Sequence, residues 1–224
     1  MAILYIVSTP IGNLKDITIR ALEVLRDVDL ILCEDTRVTI KLLNHYQINN
    51  QLVSYHQHSK IRKIGYILNF LNQDKNLALV SDAGAPGISD PGNQLIKEVF
   101  AKAPEVKIVT IPGPSALTAA ISISGMPTDK FLFMGFPPAK KKRKKFFESV
   151  VSSQYPVVLY ESPHRIIKTL RELEELSSEL EIVVCRELTK KFETIYRGTI
   201  GEALKILEKQ APRGEFTIVL NKGR

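Results

Sequence analysis

LALVSDAGAPGISDPG, residues 77 to 92, begins as a short aliphatic run and then turns through Gly84, Pro86 and Gly87. It ends on Asp90 and Pro91, the pattern of a helix N-cap followed by a first-turn proline, after which Leu95, Ile96, Val99 and Phe100 fall on one helical face. A strand that runs through a glycine-rich turn into a helix is the unit from which α/β sheets are assembled.

The same grammar recurs on either side. ILYIVS (3–8), DLILC (29–33) and KIVTI (107–111) are further strand candidates, and DITIRALEVLRD places Ile19, Leu22 and Leu25 at helical spacing. The first 110 residues or so therefore read as a parallel-rich sheet with helices. The chain then changes character in IPGPSALTAAISISGMPTD, where Pro114 suits a helix start and Ser115, Ala116, Ala119 and Ala120 permit close approach. Beyond it come FLFM (131–134), PVVLYE (156–161), EIVVC (181–185), FETIYRG (192–198) and EFTIVL (215–220) as strands. Ser162 with Pro163 reads as a helix opening, and Thr199-x-x-Glu202 has the form of a capping box. The expectation is two α/β domains, residues 1–112 and 113–224.

Composition sets the class. Hydrophobic residues at 44% and charged residues at 25% are ordinary for a globular chain. The opening MAILYIVSTPIG has no basic leader and meets Pro10 and Gly12 early, and no apolar run nears the ~20 residues of a spanning helix. Cys33 and Cys185 sit inside strand-like runs and read as buried thiols. A cytoplasmic protein without membrane contact is expected. Of the four histidines only His56-x-His58 has ligand-like spacing, and no companion Cys or HExxH supports it, so no metal is expected.

The net charge is +7, and KKKRKK at residues 140–145 accounts for six of those charges. So local a surplus attracts polyanions by counterion release or forms a solvated face; the run by itself is compatible with both.

STPIGN (8–13), SDAGAPGISDPG (81–92) and IPGPSA (111–116) each follow a strand and are rich in turn residues. Ligands of open α/β sheets bind outside the carboxyl ends of strands, so the three loops predict a small-molecule cleft. No P-loop or dinucleotide fingerprint is present, and Asp82 and Asp90 would repel phosphate. A ligand with hydroxyls, an amino group and a positive sulfonium suits such loops, a description that fits S-adenosylmethionine without singling it out. Glu34-Asp35-Thr36-Arg37, just past DLILC, either orients substrate or bridges the two halves.

LYIVSTPIGNLKDIT, CEDTR, ALVSDAGAPGISDPG, IPGPSALTAAISISG, LYESPHRI, RELTKKFETIYRGTIGEA and GEFTIVL, in this order, resemble the motifs of the ribosomal RNA small subunit methyltransferase I family. Its members are 16S rRNA (cytidine-2′-O)-methyltransferases of the tetrapyrrole-methylase superfamily. The resemblance implies a tetrapyrrole-methylase fold, with S-adenosylmethionine in the cleft between two α/β domains, a homodimer, and 16S rRNA or the 30S subunit as partner. It also implies a cofactor site: Pro10 and Ile11 at the adenosine, Asp82, Ala83, Gly84 and Ala85 at the methionine or ribose, Ser115 and Ala116 as a cap, and Glu161, Leu188 and Glu215 from the second domain. Pro10 and Leu188 have ordinary packing as their alternative. Members commonly carry a His-Glu-His-Asn-type stretch where this chain has His56-Gln57-His58-Ser59, and a histidine where it has Phe192 before Glu193. They also often continue past the GEFTIVL-like strand into a small helical region.

Methylation of a ribose hydroxyl needs alignment and a proton acceptor. Glu34 or Asp35 is the expected base, and Lys190 the expected electrostatic partner. Lys140, Lys141, Lys142, Arg143, Lys144 and Lys145, with Arg165 and Arg197, are the expected phosphate contacts. Phe133 reads as core, while Phe136, Phe146 and Phe147 could each stack on a base or pack inward. The competing readings are a same-fold methylase acting on a tetrapyrrole precursor or a protein histidine derivative, and a non-catalytic RNA-binding or assembly module.

Overall fold

The computed structural model describes residues 1–55, 61–90, 92–209 and 212–222, with residues 61 and 62 described by backbone alone. His56 and His58 therefore lie outside the described residues, as does Pro91. The chain forms two compact units, Met1–Ser115 and Ala116–Arg224, dividing three residues beyond the joint expected from sequence.

The first unit holds strands β1 (Ile3–Val7), β2 (Leu30–Cys33), β3 (Leu52–Ser54), β4 (Leu77–Val80) and β5 (Lys107–Ile111). They form one parallel sheet in the order β3-β2-β4-β1-β5. Every residue of β2 and β4 is buried, which is why LILC and LALV are continuous apolar runs rather than alternating ones. The connecting helices are α1 (Ile19–Asp27), α2 (Thr36–His45), α3 (Ile61–Leu71) and α4 (Gly92–Lys102).

Strand order dictates where these helices go. From β1 the chain steps to β2 and on to β3 in one direction, then returns to β4 and crosses to β5 in the other. Parallel crossovers are right-handed, so the reversal sends α1 and α2 to one face and α3 and α4 to the opposite face. The cores agree. Ala21, Leu25, Leu42 and Leu43 pack with Ile31, Cys33, Ala78 and Val80. Ile67, Leu71, Leu95 and Val99 pack with Leu30, Leu32, Leu77 and Leu79.

Two helix expectations need correction. In α1 the buried stripe is Ala21 and Leu25, and Ile19, the first helical residue, is 77% exposed. In α4 Leu95 and Val99 are buried, while Phe100 is 66% exposed at the rim of the face assigned to it.

The second unit contains α5 (Ala116–Ser124), β6 (Leu132–Gly135), α6 (Arg143–Val151), β7 (Val157–Glu161), α7 (Ile166–Leu176), β8 (Leu180–Arg186), β9 (Thr194–Thr199), α8 (Ile200–Leu207) and β10 (Phe216–Lys222). Its sheet runs β6-β7-β10-β8-β9, with β6 and β7 parallel and the other pairs antiparallel. Phe147, Leu170, Leu173, Ile200 and Leu204 from α6, α7 and α8 cover Leu159, Ile182, Val184 and Ile218. The small-residue helix α5 packs on β10, and the Arg197 guanidinium donates to the Ile123 carbonyl at 2.8 Å. Thr199 and Glu202 form the reciprocal capping box of α8. The Ser162-Pro163 opening is displaced, because Ser162 begins a turn whose carbonyl accepts from the N–H groups of Arg165 and Ile166, and α7 starts only at Ile166.

Candidate active site

β1 and β4 lie side by side, yet the loop after β1 leads to α1 on one face and the loop after β4 leads to α4 on the other. Diverging loops at neighbouring strand ends open a crevice, the ligand site of doubly wound sheets. Here the crevice has a stitched floor. Thr9 and Gly84 exchange N–H to carbonyl bonds of 3.0 Å in both directions, and the Thr9 hydroxyl donates to the Ser81 carbonyl at 2.9 Å. The third loop joins through Ser8, whose N–H donates to Ile111 at 3.2 Å.

Gly84 has φ +84°, a conformation that favours glycine, and a Cβ placed on it would lie 3.5 Å from Ile11 Cγ2 and 3.6 Å from the Pro114 carbonyl. A Cβ on Gly113 would meet Ser8 Cβ at 3.0 Å. Ile11, Gly84, Pro114 and Ser115 are thus brought together from three separate loops. Pro10 and Ile11 are buried, Asp82, Ala85 and Ser115 half-buried, and Ala83 exposed; Ala116 begins the second unit.

The donor set fits S-adenosylmethionine. Residues 8–13, 81–92 and 112–115 include no lysine or arginine, and their acids, Asp82 and Asp90, are both half-buried. Burial foremost, together with the nearby Asp35 carboxylate, pushes the Asp82 carboxyl above its ordinary range, against the N–H of Asp35 that donates to it at 3.0 Å. Asp90 serves the loop itself, its Oδ1 accepting from Gly87 (2.6 Å) and Gly92 (2.8 Å), while its buried Oδ2 has no hydrogen-bond partner among the described residues.

The two neighbouring acids after β2 have separate environments. Asp35 caps α2 through the Arg37 N–H at 2.8 Å and pairs with the Arg37 guanidinium at 2.6 Å. Those Arg37 contacts hold its carboxyl down to about 2, which makes it a weaker acceptor for a hydroxyl proton than an unpaired carboxylate. Glu34 is exposed and lines a shallow recess with Tyr55, Ser81, Pro86 and Asp90.

In the second unit Glu161 is fully buried. Its carboxylate accepts from Arg165 Nη2 at 2.8 Å, the Ser162 N–H at 2.8 Å and the Thr169 hydroxyl at 2.5 Å. Lys190 Nζ lies 2.8 Å from Glu187 and 2.9 Å from Glu215. Burial pulls the Lys190 ammonium down, but the two carboxylates outweigh it and raise the group overall. Glu187 also accepts from the Glu215 N–H at 3.0 Å, so it ties the turn after β8 to the start of β10, with Leu188 buried between. Sequence reasoning missed Glu187, whose partner lies 28 residues away.

The basic run divides. Lys140, Lys141, Lys142, Lys144 and Lys145 are exposed, with no ion pair among the described residues. Arg143 is turned inward: it contacts Glu172 at 2.5 Å, the Thr169 hydroxyl at 2.7 Å and the Pro138 carbonyl at 3.0 Å. Arg165 is likewise engaged with Glu161, Ser162 and Pro137, so neither arginine is a free phosphate ligand as expected. Phe147 is core, Phe133 and Phe146 are half-buried, and Phe136 is 51% exposed, edge-on to Tyr160 at 5.6 Å. Among the described residues no group of three or more His, Cys, Asp or Glu side chains could hold a metal, and no helix is long and apolar enough to cross a membrane.

Comparison with known proteins gives this arrangement a class. The model of the tetrapyrrole (corrin/porphyrin) methylases matches residues 3–204. The fold superposes on diphthine synthase with a TM-score of 0.75 at 16% identity, covering 99% of this chain and 90% of that one. It superposes on cobalt precorrin-4 methyltransferase with a TM-score of 0.71 at 18% identity, covering 98% and 94%. The chain is a methylase of the tetrapyrrole-methylase fold, with S-adenosylmethionine as methyl donor.

The curated relatives narrow the class. Ribosomal RNA small subunit methyltransferase I of Thermotoga maritima is 48% identical over 221 residues, 99% of either chain. The protein of that name from Bacillus subtilis is 45% identical over 221 residues, 98% of this chain and 75% of that one. The present chain belongs to the ribosomal RNA small subunit methyltransferase I family.

Proposed function

We propose that the chain methylates the ribose 2′-oxygen of a cytidine in 16S rRNA, acting on the RNA or on the 30S subunit. The observation that carries the RNA half is the start of α6. Lys142, Lys144 and Lys145 crowd its first turn, where no acidic residue and no side-chain cap offset them. Cations at the positive end of a helix dipole repel it, so this turn gains from a polyanion. Lys140 and Lys141 extend the surface, and exposed Phe136 offers a ring for a base.

When bound, S-adenosylmethionine supplies a methyl group on a positive sulfonium. Ile11, Pro10, Gly84 and Ala85 give that ligand an apolar wall. Asp82 and the backbone of Ala83 meet its polar groups, with Ser115 beside them. Glu161, with its carboxylate satisfied internally, is better explained as a structural hub. Glu34 would accept the proton of the 2′-hydroxyl, while the bound cofactor would supply the methyl group to that oxygen. Lys190 orders the turn after β8 and contributes a charge already balanced by Glu187 and Glu215. A homodimer and a cytoplasmic location accompany this reading.

The test is transfer of tritiated methyl from the cofactor to undermethylated 30S subunits, naked 16S rRNA and a porphyrinogen, followed by mapping of the product. Label on a cytidine ribose supports the proposal. Label on the porphyrinogen alone, or no calorimetric binding of S-adenosylhomocysteine, overturns it.

A further inference from the structure

We propose that Arg143 and Arg165 are positioning residues, a two-armed clamp on the carbonyls of Pro137 and Pro138 that presents the neighbouring lysines to RNA; this rests on the RNA reading of residues 140–145. Arg165 Nη1 donates to the Pro137 carbonyl at 3.0 Å, and Arg143 Nη1 donates to the Pro138 carbonyl at 3.0 Å. The arginines come from different helices, at the entry to α7 and at the first residue of α6. They grip consecutive residues. Proline has no N–H, so the carbonyls are the only main-chain hydrogen-bonding groups by which this dipeptide can be held.

The two arms share one backing. The Thr169 hydroxyl accepts from Arg143 Nη2 at 2.7 Å and donates to Glu161 at 2.5 Å, and Glu161 accepts from Arg165 at 2.8 Å. Glu172 pairs with Arg143 on its other side. Two arginines and two glutamates thus balance within the fold, and the lysines carry the run's unbalanced charge. Between the clamped Pro138 and Arg143, Lys142 has φ +65°, a left-handed turn uncommon for a side-chain-bearing residue and maintained only where surrounding contacts fix it. The clamp supplies such contacts on both sides of that turn, through Pro138 before it and Arg143 after it. Lysine side chains are costly to order one by one; a fixed backbone reduces that cost before RNA arrives.

The experiment compares full-length chains carrying Arg143→Lys with Arg165→Lys, Thr169→Val, Thr169→Ser, and Lys→Ser at positions 140, 141, 142, 144 and 145. The two lysine replacements retain charge opposite Glu172 and Glu161 but lack the planar fork by which each arginine reaches a carboxylate and a carbonyl from separate nitrogens. Thr169→Val severs the shared backing if the paired variant fails to fold, and Thr169→Ser restores the hydroxyl. Trypsin cleavage within 140–145 should accelerate about tenfold in the paired variant and in Thr169→Val, but not in Thr169→Ser. The Kd for 16S rRNA should rise about tenfold in the same two variants, with the salt slope retained because the lysines are still present. Combining the paired variant with the serine replacements should cost less than the product of the separate losses. Unchanged trypsin cleavage overturns the clamp. Faster cleavage with unchanged RNA affinity, while the serine chain binds RNA weakly, overturns its positioning role alone. Unchanged RNA binding by the serine chain overturns the RNA reading, and the positioning role with it.

Discussion

The Asp82 carboxylate accepts the backbone N–H of Asp35 at 3.0 Å, joining the loop after β4 to the loop after β2. One residue of the crevice is therefore fixed from a second strand end, and its carboxyl is raised by burial while doing so. Asparagine retains the acceptor oxygen but removes the charge. A carboxyl whose folded pKa is raised contributes stability below its unfolded pKa and loses it as pH rises through the folded value. Asp82→Asn should thus melt at or above the parent's temperature at pH 7, the difference closing as pH falls through the carboxylate range. Its calorimetric affinity for S-adenosylhomocysteine should fall about tenfold, the loss of one charge-assisted hydrogen bond. Unaltered affinity would take Asp82 out of the cofactor site.

Asp35 has the opposite sign. Its carboxyl is lowered to about 2 by Arg37, so its contribution is present above the unfolded pKa and fades as pH falls through the folded value. Asp35→Ala should lower the melting temperature at pH 7, and the gap to the parent should begin to close only below about pH 4. A gap already closed at pH 6 would contradict the Arg37 pairing.

Glu34→Gln separates base from scaffold. Single-turnover methylation should slow by about 10²–10⁴-fold, the range of general-base catalysis, with S-adenosylhomocysteine affinity within twofold of the parent. Undiminished single-turnover rate would remove Glu34 from the chemistry.

Gly214 has φ +85°, and a Cβ there would overlap the Glu187 carboxylate. Gly214→Ala should destabilise by more than about 1 kcal/mol, read from the urea midpoint, and loosen the Glu187–Lys190–Glu215 cluster. A midpoint equal to the parent's would show that Glu187 can move away freely.

Much of the architecture was legible because β2 and β4 carry it in continuous apolar runs and Thr199 with Glu202 in a local cap. β3 escaped because three half-buried residues, Leu52–Ser54, give neither a run nor an alternation. The crevice loops were legible through their glycines and prolines, since Gly84 needs a backbone conformation that its neighbours in sequence announce. What composition could not convey was direction. Arg143 is one of six consecutive cations, yet it alone faces inward, because its partners Thr169 and Glu172 lie 26 and 29 residues away. Asp35 and Glu34 are adjacent acids whose difference rests on Arg37 and on the recess beneath Glu34, neither of which a residue type reveals.

The reversal of strand order at β1 and β4 has one more consequence. An opening made by chain direction owes nothing to the side chains around it, so those can be exchanged wholesale without closing it. Diphthine synthase and cobalt precorrin-4 methyltransferase retain the architecture at 16% and 18% identity under names that describe different chemistry. Topology supplies the address, and a handful of loop residues decide who is received there.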